Sequence, residues 1–270
     1  MANTTILSWN VRELNAQARR DNVRTLTEDL KPSIVCLQET KLDVISKYTI
    51  FSLLGRDFAE FGYVPASSTR GGILIAGRQS SVVLSDVLLG CFSITVAVRP
   101  ASSTANDDAK WWLSSVYGPS EDGDKSIFLE ELEAIREDCT GPWAVTGDFN
   151  LILSEQDKNN DRVDRANMRR FRRMAHALGL HDLHLHGRTF TWSNERLTPT
   201  LVRLDRVLVS PDWDAQFPNA LLLGLGSDAS DHCPLMLQTD ACVTSKGRFH
   251  FELFWPKFEG YDDVVTESWV

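Results

Sequence analysis

The segment Ser230-Asp231-His232-Cys233-Pro234-Leu235 places a carboxylate and an imidazole directly before an apolar run. Residues 233–237 predict a short buried strand, so the Ser, Asp and His belong to the loop that enters it. Loops in such positions commonly carry function. Asp231 offers a hard oxygen ligand suited to Mg²⁺, and His232 titrates near neutral pH. The triplet alone is more often a loop cap beside a surface histidine, so its meaning depends on which other groups converge on it.

Several upstream strands are predicted to end on polar residues. Residues 5–10 alternate and end at Asn10, the apolar run 33–39 ends at Glu39, and residues 111–117 end at Tyr117. Buried strands often place ligand-handling residues where they emerge from a sheet. Each of these residues alone is better explained as a turn or cap, but together they are candidate site residues.

Two further strands carry carboxylates that a turn does not explain. Residues 143–150 predict an apolar strand that ends with Asp148 and Asn150 on alternate positions, so both side chains point to one face. Asp205 falls within an otherwise apolar predicted strand, residues 201–209. A carboxylate there is costly unless it is paired, and a histidine is its natural partner.

The rest of the chain alternates strands and helices. Further strands are predicted at 71–76, 82–89, 92–99 and 189–194, with an antiparallel meander among them, and helices at about 19–30, 125–138, 166–178 and, briefly, 211–217. Residues 101–109 and 195–200 predict hairpin loops. The segment after residue 239 carries aromatic residues without an obvious sheet partner. We therefore expect one domain over residues 1–239 and an extension or linker over residues 240–270.

Composition limits the class of protein. The chain has 270 residues, of which 43% are hydrophobic, and no apolar stretch of about 18 residues, so no membrane span is expected. The N-terminus lacks signal-peptide features, which predicts an intracellular protein. Five scattered cysteines predict neither a disulfide framework nor a zinc site. The alternating histidines of residues 181–186 are expected to be a solvated edge rather than a metal site.

The formal charge of −9 argues against binding nucleic acid by overall electrostatics, so any positive surface must be local. Arg162 and Arg165 precede a predicted helix that carries Arg169, Arg170, Arg172 and Arg173 mostly outward. This is the most basic patch of the chain. A solvated helix face and a contact with the DNA backbone both account for it.

Taken in order, the motifs resemble the endonuclease/exonuclease/phosphatase superfamily. They are Trp-Asn-Val-Arg at 9–12, Leu-Gln-Glu-Thr-Lys at 37–41, Tyr-Gly-Pro at 117–119, Gly-Asp-Phe-Asn at 147–150, Leu-Asp-Arg at 204–206 and Ser-Asp-His at 230–232. Gly-Pro-Trp at 141–143 and Phe-Thr-Trp-Ser-Asn at 190–194 resemble most the endonuclease domain of plant LINE-type non-LTR retrotransposons. The resemblance implies an α/β fold, a four-layered α/β sandwich of two packed mixed β-sheets flanked by helices, with the site at one end.

The resemblance also implies roles for the polar strand ends. The ligands of Mg²⁺, with Mn²⁺ as a possible substitute, are expected to be Glu39, Asn10 and Asp231. The catalytic residues are expected to be Asp148, Asn150, His232, Asp205 and Tyr117. Asp148 would orient or deprotonate the attacking water, and His232, paired to Asp205, would contact the phosphate as a cation or act as a base. Substrate contacts are expected from Thr191, Trp192, Ser230, Arg162 and Arg165.

The implied activity is Mg²⁺-dependent nicking of double-stranded DNA that leaves a 3′ hydroxyl and a 5′ phosphate, in the nucleus and within a longer polyprotein that carries a reverse transcriptase. Glu13 departs from the pattern, because relatives often have glycine there and a side chain at this position would hinder a DNA strand. Three alternatives remain open: a phosphatase or phosphodiesterase of the same superfamily, an abasic-site repair nuclease, and an inactive remnant that only binds nucleic acid.

Overall fold

The computed structural model describes residues 3–67, 71–102, 110–227 and 229–241. The helices of this part are α1 Gln17–Leu30, α2 Lys47–Leu53, α3 Lys125–Asp138, α4 Arg165–Ala177 and α5 Pro211–Gln216. The strands are β1 Thr5–Asn10, β2 Ile34–Gln38, β3 Glu60–Val64, β4 Ile73–Gly77, β5 Val82–Leu89, β6 Ser93–Pro100, β7 Trp111–Tyr117, β8 Trp143–Asp148, β9 His181–Asp182, β10 Leu185–His186, β11 Trp192–Ser193, β12 Leu201–Val202, β13 Asp205–Val209, β14 Leu221–Gly224 and β15 Leu235–Gln238.

Local signals fix several helix ends. The Asp164 side chain accepts hydrogen bonds from the backbone N–H groups of Ala166 and Asn167, both at 3.0 Å, and so caps α4. Ser210 caps α5, whose first residue is Pro211, a position where the missing proline N–H costs nothing. Helix α1 ends at Leu30, and its C-cap, Lys31, has a left-handed backbone conformation and precedes Pro32. These helix boundaries are therefore set by residues within or next to the helices themselves.

Two mixed sheets form the centre of the molecule. The first has seven strands in the order β10-β14-β15-β1-β2-β4-β3, and the second has six in the order β5-β6-β7-β8-β13-β9. β1 pairs in parallel with β2, and β7 pairs in parallel with β8. The carboxyl ends of parallel strands lie at the same edge of a sheet. Asn10 and Glu39 therefore lie at one edge of the seven-stranded sheet, and Tyr117 and Asp148 lie at one edge of the six-stranded sheet.

Three apolar clusters separate the layers. One cluster, which includes Ile6, Cys36, Leu113 and Val207, lies between the two sheets. A second packs α3 and α4 on the outer face of the six-stranded sheet, and a third packs α1 and α2 on the outer face of the seven-stranded sheet. The order is therefore helices, sheet, sheet, helices, which confirms the predicted four-layered α/β sandwich.

The structure corrects two predicted strands. Of the predicted strand at residues 189–194, only Trp192–Ser193 forms a strand. Residues 201–209 do not form a single strand: β12 pairs with β11 in a two-stranded ribbon and forms one isolated bridge from Val202 to Lys158, whereas β13 pairs with β8 and β9. The ladder is broken at Arg203 and Leu204, because the Arg203 N–H donates to the Asp157 carbonyl at 2.8 Å and the Leu204 N–H donates to the hydroxyl of Thr191 at 3.0 Å. The alternation of polar and apolar residues continues across this break, so no local pattern predicts it.

Three elements were not predicted: α2, β3 and β14. Helix α2 has seven residues, too few for a clear period. β3 contains Gly62, where a Cβ atom would lie 2.7 Å from the Ile94 side chain, so the close packing of the sheets requires a residue that weakens a strand pattern. Short elements of this kind depend on their neighbours.

Parts of the predictions lie outside the described residues. These are most of the 101–109 loop, Cys242, and the aromatic residues after position 241, so the predicted division at residue 239 stays a prediction. Cys36, Cys91, Cys139 and Cys233 are free. Within the described ranges, no helix combines the length and apolar character needed to cross a membrane.

Candidate active site

The polar strand ends of the two sheets face each other at one end of the sandwich. In the six-stranded sheet, Asp148 is the register partner of both Tyr117 and Asp205. In the seven-stranded sheet, Asn10 is the last residue of β1. The Asn10 amide donates to Asp148 Oδ2 at 2.9 Å, a bond between residues 138 positions apart. This contact joins the sheets and places the site at their common edge.

Asp148, Asp205 and His232 form the buried centre of this site. His232 Nδ1 is hydrogen-bonded to Asp205 Oδ2 at 2.9 Å, and His232 Nε2 lies 3.8 Å from Asp148 Oδ2. One carboxylate oxygen or ring nitrogen from each of the three lies within 4.8 Å of the others. The imidazole is therefore held between two carboxylates, with one ring nitrogen bound and the other facing Asp148.

Two amides fix the orientation of the Asp148 carboxylate. Besides the bond from Asn10, the backbone N–H of Asn150 donates to Asp148 Oδ1 at 2.9 Å. The Asn150 side chain donates to the carbonyl of Gly118 at 2.8 Å and reaches Asp148 Oδ2 at 3.4 Å. Asn150 has φ +49°, a left-handed conformation that asparagine tolerates better than most residues. The turn after β8 is thus built around the carboxylate.

The electrostatics of the centre follow from burial. Burial raises the pKa of Asp148 to about 6, although His232 favours the ionised form. Burial alone would lower the pKa of His232, but Asp205, Asp148 and Asp231 together outweigh it and raise the pKa to about 9. Burial and the nearby carboxylates of Glu39 and Asp148 also raise the pKa of Tyr117. At neutral pH the imidazole is therefore a cation, Tyr117 is a hydrogen-bond donor, and Asp148 is mostly ionised.

Glu39 and Tyr117 form one wall of the site. A Cβ atom added to Gly71 would lie 2.8 Å from both the Glu39 Cγ and the Tyr117 ring, so this glycine lets the two side chains approach. Glu39 has φ +56°, a costly conformation for a residue other than glycine. Arg12 and Lys41, on the same rim, also have positive φ. Backbone strain of this kind concentrates at functional sites.

Asp231 and Ser230 form the opposite wall. Asp231 Oδ2 accepts from the Trp192 indole at 3.0 Å and lies 3.3 Å from the Arg12 guanidinium. Ser230 donates to the backbone carbonyl of Asn10 at 2.9 Å. Trp192 also pairs with His232 through an isolated antiparallel bridge. The loop before β15 is thereby held against both β1 and the β11–β12 ribbon.

The oxygen-rich rim suits a hard divalent cation. The Glu39 and Asp231 side chains are 19% and 14% exposed, but their cationic partners, Lys41 at 3.1 Å and Arg12 at 3.3 Å, are 43% and 52% exposed. Such long side chains turn away easily when another cation takes their place. Carboxylate and amide oxygens are the ligands that Mg²⁺ prefers. The metal site expected at Glu39, Asn10 and Asp231 stays a prediction. Among the described residues, the group of three acidic or histidine side chains whose ligand atoms lie within 4.8 Å of one another is Asp148, Asp205 and His232.

The expected substrate residues fall into three positions. Trp192 and Ser230 line a groove that also contains Asp231 and His232. Thr191 also lines this groove but is only 2% exposed, and its hydroxyl accepts from the backbone N–H of Asp205 at 3.0 Å, so it supports Asp205. Arg162 lines a separate groove that starts at Asn150 and contains Lys158 and Lys125.

Two charged residues of the predictions have partners away from the buried centre. Arg165 donates to Glu155 at 2.8 Å on the exposed surface. Glu13 faces Arg19 at 3.6 Å and is 42% exposed, so its charge is directed toward the base of α1.

Sequence reasoning missed several supporting residues. The Trp9 indole donates to the His232 carbonyl at 3.0 Å. Arg206, next to Asp205 but on the other face of β13, is 1% exposed and pairs with Asp157 and, at 2.6 Å, with Asp182. Asp157 in turn accepts from two backbone N–H groups of the loop that follows Asn150. The sequence signal that could have predicted this ion-pair network is Arg206, a second charged residue directly after Asp205 in an otherwise apolar strand.

Comparison with known proteins gives the same fold. Among solved structures, the chain is similar to a 3′ phosphatase, NExo, from Neisseria bound to product DNA hairpin (21% identity, TM-score 0.66, 87% of this chain and 98% of that chain). It is similar to an AP endonuclease from Leishmania major (17%, 0.63, 88% and 87%). It is also similar to the endonuclease domain of TRAS1, a telomere-specific non-LTR retrotransposon (17%, 0.60, 88% and 98%).

Among curated proteins, none matches this sequence. The sequence profile of the Endonuclease/Exonuclease/phosphatase family, however, matches residues 7–232, which include every polar strand end of the site. This chain therefore belongs to the endonuclease/exonuclease/phosphatase family.

Proposed function

We propose that this chain is a Mg²⁺-dependent endonuclease that nicks double-stranded DNA by phosphodiester hydrolysis, leaving a 3′ hydroxyl and a 5′ phosphate. The observation that carries the proposal is the buried centre in which His232 lies between Asp205 and Asp148, with Asn10 and Asn150 bound to Asp148. Such a centre provides a fixed carboxylate and a fixed cation on one reacting phosphate.

Asp148 would take the proton of the attacking water. Its pKa, raised by burial to about 6, leaves it mostly ionised at neutral pH yet basic enough to accept a proton. The bonds from Asn10 and Asn150 hold its two oxygens in place, so the water is oriented before it reacts. This arrangement supports Asp148 as the general base over a role as a simple ion-pair partner.

His232 would act as a cation rather than as a base. Its pKa is raised to about 9 by Asp205, Asp148 and Asp231 despite its burial, so it carries a proton at neutral pH. An imidazolium at this point stabilises negative charge on a non-bridging phosphate oxygen. Tyr117, kept protonated by the same surroundings, would donate to the phosphate from the other wall.

Glu39, with Asn10 and Asp231, would hold Mg²⁺ at the rim, and Mn²⁺ has similar ligand preferences. When bound, the ion supplies positive charge against the charge that develops on phosphorus and on the leaving 3′ oxygen. The chain's own contribution is to present these oxygens beside the Asp148 and His232 centre.

Two features favour DNA over a small phosphate ester. Grooves leave the site on several sides: one past Tyr117 and Gly118, one past Trp192 and Ser230, and one past Asn150 and Arg162. An extended polymer fills such grooves, whereas a small ester needs a single closed pocket. The similar structures named above include a nuclease domain of a non-LTR retrotransposon and a phosphatase bound to DNA. We further propose a role in plant LINE-type retrotransposition, in the nucleus and beside a reverse transcriptase.

Supercoiled plasmid tests the proposal directly. With Mg²⁺ the wild type is expected to convert it to the nicked circle, and chelation is expected to stop the reaction. Asp148→Asn keeps the shape of the side chain but removes the base, so nicking should fall by about 10² to 10⁴. Glu28→Gln, an exposed change on α1, is the matched control. Equal nicking by wild type and Asp148→Asn would exclude the assigned centre.

The same assay separates the second candidate function. The similar structures include an AP endonuclease and a 3′ phosphatase, so the substrate series should contain an abasic duplex and a 3′-phosphate-ended duplex beside an intact one. Preference for the intact duplex supports the retrotransposon-type nuclease. Strong preference for either modified duplex assigns the site to repair.

A further inference from the structure

The exposed face of α4 concentrates positive charge in an acidic protein. Residues 162–173 contain six arginines and one acidic residue, whereas the whole chain has a formal charge of −9. At 100° per residue, Arg169, Arg172 and Arg173 fall within an arc of about 100° on one side of the helix, and Arg170 lies about 60° beyond it. Phe171 and Met174 on the other side pack into the core. We call the outward set Arg169, Arg170, Arg172 and Arg173 the α4 arginine face.

The charge of this face is not neutralised within the described part of the chain. No carboxylate there lies within ion-pair distance of its four arginines. Arg170 donates to the Asn167 side chain at 3.2 Å, and Arg172 donates to the Leu153 carbonyl. Like charges three and four residues apart on a helix destabilise it. The helix therefore keeps a costly pattern that an external polyanion would relieve.

The α4 arginine face continues from the candidate active site. Leu153, which Arg172 contacts, is three residues after Asn150. The groove that includes Asn150 is also lined by Lys158, Arg162, Asp164 and, in the first turn of α4, Asn167. Lys125 lines it too but is paired with Asp122 at 2.8 Å. Lys158 and Arg162 thus lie in one groove with Asn150, whose N–H donates to Asp148, and with the first turn of α4.

We propose that the α4 arginine face binds the phosphate backbone of the duplex that flanks the cleavage point. This inference rests on the proposed function and deepens it, because it names how an acidic chain retains DNA. A helix of 13 residues is about 20 Å long and so spans roughly six base pairs at 3.4 Å each. Arginine side chains suit phosphate oxygens because their donors are planar and paired. Continuity with the groove at Asn150 favours nucleic acid over an acidic protein as the partner.

Salt-dependent binding tests the inference without cleavage. Wild type and Arg169→Gln/Arg173→Gln are titrated, in chelator, against a fluorescent duplex of about 30 base pairs over a range of salt concentrations. The plot of log affinity against log salt concentration should be less steep for the variant than for wild type by about 2, since each of the two lost phosphate contacts contributes about 0.9 to the slope. The matched control is Arg24→Gln/Arg56→Gln, which removes the same charge from the exposed α1 and α2 side. Its slope should equal that of wild type.

Nicking kinetics provide the second readout. The α4 variant should raise KM severalfold at low salt with kcat unchanged, since the face touches no reacting atom. Equal slopes for the α4 and control variants overturn the inference, including the case in which the face binds an acidic protein instead. If the slope depends on α4 but the wild type does not nick, the proposed function fails and this inference stands. If it nicks with equal slopes, only this inference fails.

Discussion

Replacement of Arg206 by methionine tests the ion-pair network behind the site. Arg206 is 1% exposed and binds Asp157 and Asp182, so it ties β13, β9 and the loop after Asn150 together. Methionine fills a similar volume without charge or donors. The change therefore removes the guanidinium and leaves two carboxylates without it, rather than opening a large cavity.

The magnitude follows from what remains around those carboxylates. Removal of one partner from a buried ion pair typically costs about 3–5 kcal/mol. Asp182 keeps Arg203 at 3.1 Å, and Asp157 keeps the backbone N–H groups of Leu153 and Ser154, each at 2.8 Å. These contacts place the loss near the lower end, at about 3 kcal/mol. For a domain of this size that lowers Tm by roughly 6–12 °C.

Urea unfolding followed by tryptophan fluorescence measures this loss. The matched control is Arg24→Met, which breaks an exposed pair with Glu28 and should cost less than about 1 kcal/mol. The double variant Arg206→Met/Asp157→Asn should be more stable than Arg206→Met, because it neutralises the carboxylate that has lost its partner. A cost for Arg206→Met as small as that of the control would refute the network as a source of stability.

Three other changes give distinct outcomes. Asp164→Ala removes the α4 cap and should lower the free energy of unfolding by about 1 kcal/mol at pH 7. The hydrogen bond from the Asn167 N–H lowers the pKa of Asp164 below 3.8, so the stability difference between wild type and variant should shrink as pH falls through that lowered pKa. Urea unfolding at several pH values measures this difference. Gly147→Ala should yield little folded protein in circular dichroism, since Gly147 has φ +136° and a Cβ atom would overlap the Val116 carbonyl. Thr191→Val leaves the backbone N–H groups of Leu204 and Asp205 unpaired, which should lower the free energy of unfolding by roughly 1–3 kcal/mol each. It should also lower kcat for plasmid nicking, because one of these groups belongs to Asp205. Thr191→Ser keeps the hydroxyl and should retain the stability and the kcat of the wild type.

The local pattern predicted most of the strands and helices of the sandwich. Alternating and continuous apolar runs located β1, β2, β7 and β8, and the polar residue at the end of each was recognised as a candidate. Elements that depend on their neighbours were not recognised: the seven residues of α2, the glycine-containing β3, and the break at Arg203 and Leu204. Their conformation is set by contacts that lie far away in the sequence.

The sequence by itself determined which side chains lie at strand ends, because backbone alternation and turn residues act over a few positions. Asn10, Glu39, Asp148 and His232 were identified on this basis. Only the tertiary structure decided that Asn10 donates to Asp148 across 138 positions and that Arg206 pairs behind the site. It also decided the pKa values, about 6 for Asp148 and about 9 for His232, since burial and facing charges exist only after the two sheets have packed together.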